Sequence, residues 1–164
     1  MESKAKILGH SIHPILIVFP LGLLATGVVF DLINFAAGKA EFAIVAYWMF
    51  AAGIIGGLAA ALFGWIDWFA IDSGTRAKRI GLMHGLTNVT ALLLFAASWY
   101  MRSDYPERPE TLATVVSTFA AVVALIGGWL GGELVERLGI GVHPGAHPNA
   151  PSSLTSNSAR VDES

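Results

Sequence analysis

The stretch Gly9-His10-Ser11-Ile12-His13-Pro14 carries the chain's most chemically promising residues, two histidines three apart at the mouth of a long apolar segment. If these positions are already helical, the spacing puts both imidazoles on one helix face. His84 lies one turn into a later apolar segment, with Asn88 four residues on along the same face. Two neutral imidazoles on facing helices are enough to hold a b-type haem, and no cysteine is needed. On this reading His84 and either His10 or His13 are the ligands, and Asn88 or Asp67 orients a ring by accepting its other N–H. The second reading is a non-haem zinc or iron site built from His10, His13, His84, Asp67 and Glu133. Against it, the chain has no Glu-x-x-His pair, the usual mark of a di-iron bundle. The third reading has no cofactor, because a histidine near a bilayer surface often does no more than hydrogen-bond a carbonyl or a headgroup. For His143 and His147 this third reading is the preferred one.

The elements that position these groups are apolar and long. Of 164 residues, 54% are hydrophobic and 13% charged, about half the charged share of an ordinary soluble domain. A span needs about 20 predominantly apolar residues, and four segments qualify: 14–35, 42–68, 80–101 and 111–134. The expected fold is all-α, an antiparallel four-helix transmembrane bundle over residues 1–143. The Pro/Ser/Asn-rich stretch 144–164 is expected to be a disordered tail. No strand pattern stands out, nor any short repeat. The first span has no convincing small-residue cleavage site and reads as retained, not as a signal peptide. Pro14 suits the first turn of a helix, and Pro20 should perturb its interior. Gly53 and Gly57, and the run Gly127-Gly128-Trp129-Leu130-Gly131-Gly132, offer small-xxx-small contacts. The second of these should be the tightest contact in the bundle. Asp31 is expected at the far membrane interface, Arg102 in the third turn, and Glu136 with Arg137 at a solvated helix end.

Absent cysteines exclude disulfides, thiolate metal sites and covalently attached haem. A net charge of −2 gives no footprint for nucleic acid. No Gly-x-Ser-x-Gly elbow or phosphate-cradling loop occurs, and Ser98 and Ser117 lie far from the histidine end. Four spans place both termini, and all five histidines, on one side. That side also holds most of the cations: Lys4, Lys6, Arg76, Lys78, Arg79 and Arg137 against Lys39, Arg102 and Arg108. By the positive-inside rule both termini are expected in the cytoplasm.

His10-Ser11-Ile12-His13-Pro14 followed by Phe19-Pro20 resembles the opening of a bacterial membrane-protein family, domain of unknown function 2231. The resemblance extends to Gly57–Asp67, to His84 with Asn88, and to Gly131-Gly132-Glu133-Leu134-Val135, covering roughly positions 9–143. Ser11 stands where the family often has proline, and Leu138 where many members carry a histidine. The resemblance implies four spans in a bacterial inner (cell) membrane. Relatives look to accompany, or be fused to, quinoprotein-type dehydrogenases and other redox modules. That implies electron transfer through membrane haem or a quinone, and it would also fit the histidine side facing the periplasm. The combined expectation is a small redox subunit with haem b and a redox partner protein or quinone, possible as a homo-oligomer. The alternatives are a non-haem metal protein and a non-catalytic anchor or scaffold. An accessory electron-transfer role is favoured over a stand-alone enzyme.

Overall fold

In a computed structural model, which describes residues 1–154, four helices form an up-and-down bundle. They are α1 (Ile12–Ala37), α2 (Ala40–Phe69), α3 (Arg76–Met101) and α4 (Thr111–Gly132). All four are long and apolar enough to cross a membrane. Each extends one expected span or matches it to within a few residues, because helices continue past the hydrocarbon until a cap stops them. α1 stops at Gly38, whose φ of 64° lets its N–H reach the Asn34 carbonyl at 2.8 Å. α3 starts at Thr75, whose hydroxyl accepts the Lys78 N–H at 3.1 Å. α4 runs on into a π-helical turn, Glu133–Arg137.

α1 packs along α2 and α3 along α4. The two hairpins then meet through α2 with α3 and α1 with α4. α1 and α3 are therefore diagonal, as alternating directions require. The core is thin and centred on Val28, Ala46, Phe50, Phe95 and Ala120. Leu, Ile and Phe side chains cover much of the outside, as a lipid-facing surface demands.

Several expectations need correcting. Pro20 lies inside α1, where it is buried and packs against Gly56, at which a β-carbon would stand 3.3 Å from Pro20 Cδ. Gly53 and Gly57 serve different neighbours, Leu24 of α1 and Leu92 of α3. In the glycine-rich end of α4, Gly127 and Gly131 are close contacts, whereas Gly128 and Gly132 face open space. The N-terminal segment holds a minimal hairpin that pairs β1 (Lys6–Ile7) with β2 (His10–Ser11) through a turn at Leu8-Gly9. Residues 144–154 carry no helix or strand, only turns, and 155–164 of the expected tail lie outside the described residues.

The largest correction concerns Asp31. It is not interfacial but fully buried, and Arg102 is buried with it at 0% side-chain exposure each. The guanidinium grips the carboxylate with two bonds, Nη1 to Oδ1 at 2.7 Å and Nη2 to Oδ2 at 3.0 Å. Arg102 also donates Nε–H to the Ser98 carbonyl at 3.1 Å and Nη2–H to the Ser98 hydroxyl at 2.8 Å. The Ser117 hydroxyl lies 2.8 Å from Asp31 Oδ2. The physical reason is that a lone carboxylate at membrane depth is too costly to leave in hydrocarbon, so the nearest cation folds inward to meet it.

Candidate cofactor site

At the opposite end of the bundle from this ion pair, His13 and His84 face each other across the diagonal. Their ring centres are 6.2 Å apart and their planes stand at 88°. Both rings are half-buried. His13 is the second residue of α1, and its ring reaches α2. Its Nδ1 lies 2.8 Å from the Ala60 carbonyl oxygen of α2. His84 Nδ1 lies 2.9 Å from the Gly127 carbonyl oxygen of α4. A ring nitrogen this close to a carbonyl oxygen carries the proton and donates it. In each neutral imidazole the ligand lone pair is then on Nε2.

Helix glycines make room for both rings. A β-carbon at Gly64 would stand 3.1 Å from His13 Cε1 and Nδ1, and one at Gly131 would stand 3.0 Å from His84 Cε1. Asn88 donates its amide N–H to the His84 backbone carbonyl at 2.9 Å, and the same nitrogen sits 3.2 and 3.4 Å from the two ring nitrogens. Asn88 therefore braces the ring, while the Gly127 carbonyl sets its tautomer. The Asn88 side chain also fills the space over Gly127, where a β-carbon would meet Oδ1 at 2.5 Å.

The other sequence candidates go elsewhere. His10 is exposed on β2, with Nδ1 3.1 Å from the Leu8 carbonyl oxygen. Asp67 does not orient a histidine. It collects the N-terminal segment, accepting from the Ser3 hydroxyl at 2.7 Å and the backbone N–H groups of Lys4 and Ala5 at 2.7 and 3.3 Å. Glu133 pairs with Arg76 at 2.6 Å. Among the described residues no three His, Cys, Asp or Glu side chains group closely enough to hold a metal ion. His143 Nε2 stands 3.0 Å from Glu2. The Lys6 ammonium, hydrogen-bonded to Glu2, holds that carboxyl below the ordinary carboxylate range, so it faces His143 ionised at neutral pH.

The clamp on Asp67 joins the N-terminal segment to the end of α2. Replacing Asp67 with Asn removes the charge that holds two backbone N–H groups and a hydroxyl. Hydrogen exchange at Lys4 and Ala5 is expected to speed up at least tenfold, because charge-assisted bonds are worth about 1.5–3 kcal/mol. Exchange in α1 and α2 is expected to stay unchanged, and unaltered protection at Lys4 and Ala5 would refute the clamp.

The site residues that sequence reasoning missed are the two carbonyls, Ala60 and Gly127, and the seating glycines Gly64 and Gly131. Their only signal was a small residue near the end of α2 and of α4. A family model described as "Predicted membrane protein (DUF2231)" matches residues 9–144. No curated protein and no solved structure matches the chain.

Proposed function

The chain belongs to the DUF2231 family of predicted membrane proteins, and from that premise we propose that it is a small electron-transfer subunit holding one b-type haem between His13 and His84. The observation that carries the reading is the 6.2 Å separation of two imidazoles from diagonal helices, each with Nδ1 tied to a main-chain carbonyl. Two imidazoles this close, each with Nδ1 engaged by a carbonyl, would hold the group through their Nε2 atoms. The donor set suits haem iron, with two neutral nitrogens and no charged ligand.

Bound haem supplies one-electron chemistry. The chain's own part is to hold and tune the group. The Ala60 and Gly127 carbonyls, accepting Nδ1–H, fix the ring orientation and raise the basicity of Nε2. Among the described residues no cluster of three or more His, Cys, Asp or Glu side chains forms around the pair, which suits outer-sphere transfer to a partner protein or a quinone. The excess of loop cations at this end supports a cytoplasmic placement for it.

A bare zinc or iron ion between the same rings is favoured less. Tetrahedral sites need three or four protein ligands, and Asp67 and Glu133 are engaged elsewhere.

The test is direct. The detergent-purified chain, titrated with hemin, is expected to bind one equivalent with a low-spin Soret spectrum and reduced α and β bands. The bound group should also give a low-spin EPR signal. A chain that stays colourless, or gives only high-spin hemin, overturns the reading in favour of a scaffold subunit.

A further inference from the structure

The two half-sites follow one pattern. His13 of α1 donates to the Ala60 carbonyl of α2 and lies against Gly64, four residues further on. His84 of α3 donates to the Gly127 carbonyl of α4 and lies against Gly131, again four residues further on. A helix carbonyl already accepts the N–H four residues ahead and has one lone pair left. A side chain at that fourth residue would crowd the lone pair, so glycine is the residue that leaves it open to a ring.

The same register extends through the bundle. The step from Asp31 to Arg102 is 71 residues and equals the step from His13 to His84. Applied to α1, that step carries the buried Pro20 and Gly27 onto the buried Ala91 and Ser98 of α3. The step from Ala60 to Gly127 carries the buried Ala46, Phe50 and Gly53 onto the buried Ala113, Ser117 and Ala120. Corresponding residues meet across the bundle at both ends, histidine with histidine and aspartate with arginine.

We infer that the bundle is one helical hairpin repeated twice about a twofold axis along its length, and that the cofactor site is two copies of a single half-site with Gly64 and Gly131 as its positioning residues. The ligand named for the site rests on the haem reading; the half-site does not. Asp31 and Arg102 mark where the copies have diverged. Two aspartates or two arginines facing each other on the axis would repel in hydrocarbon, and one of each attracts.

The experiment compares Gly64→Ala and Gly131→Ala with Gly128→Ala and Gly132→Ala in the full chain, the last two glycines facing open space. Two readouts are used. Without haem, 15N NMR of labelled histidine reports the Nδ1–H tautomer of each ring. Gly64→Ala is expected to perturb His13 alone, Gly131→Ala His84 alone, and the two controls neither. With hemin added, each of the first two is expected to weaken binding about 10- to 100-fold, the usual effect of disturbing an outer-shell partner, and to move the EPR g-values. Gly64→Ala and Gly131→Ala indistinguishable from the controls in the 15N spectra would overturn the half-site. Wild-type chain that takes up no hemin, with the 15N changes as expected, would sink the haem reading and leave the half-site standing.

Discussion

Replacing Arg102 with Ala is expected to destabilise the bundle by about 3–5 kcal/mol, the cost of leaving one member of a buried ion pair alone. Among the described residues, Asp31 would keep only the Ser117 hydroxyl as partner. Ser98 would lose both of its contacts with the guanidinium, and Phe50 would lose a cation standing 5.1 Å from its ring. In detergent this should lower the unfolding temperature by on the order of 10 °C. Asp31→Ala should be comparably damaging, because it strands a guanidinium that cannot shed its proton. The double variant Asp31→Leu with Arg102→Met removes both charges and replaces them with apolar groups of similar bulk. It is expected to recover most of the loss, since a buried pair is often no better than a hydrophobic substitute. A single Arg102→Ala variant as stable as the double variant would show that the pair is not desolvated as its geometry indicates. The measurement is thermal unfolding followed by circular dichroism, with monodisperse elution as the check on assembly.

The second large effect tests the proposed haem-holding histidines. His84→Ala and His13→Ala are each expected to abolish the low-spin Soret spectrum and to lower hemin affinity by more than about 100-fold. Outer-shell partners alone are commonly worth 10- to 100-fold, and a side chain that would hold the haem directly should cost more. His10→Ala is expected to bind hemin as the unaltered chain does, although His10 sits only three residues from His13. The reason is placement: His10 lies on β2, exposed, with its ring over the Leu8 carbonyl. Asn88→Ala should retain the band with a shifted potential, because it braces the His84 ring without bonding through Nδ1–H. Loss of haem in His10→Ala with retention in His13→Ala would reverse the ligand assignment. Both single variants are compared for helix content, so that a failure to fold is not read as a failure to bind.

Much of the fold can be read from residue types. Four runs of about 20 apolar residues oblige four spans, since a chain in hydrocarbon must satisfy its own backbone. Alternating direction then gathers His13 and His84 at one end. What composition and spacing leave open is rotation. A helix with apolar residues on every side carries no stripe to say which face turns inward, and so His10 and His13 were equal candidates. Asp31 and Arg102 looked interfacial for the same reason. Each stands near the end of an apolar run, and nothing local says that the two will meet.

The sequence alone therefore determined the number of spans, their directions and the side on which the imidazoles collect, because transfer of apolar side chains into a bilayer is a sum over residues. Only the tertiary structure decided which imidazoles pair, which carbonyls hold them and that Asp31 meets Arg102. Those outcomes depend on how far each helix turns about its own axis before small residues such as Gly64 and Gly131 let a neighbour close in.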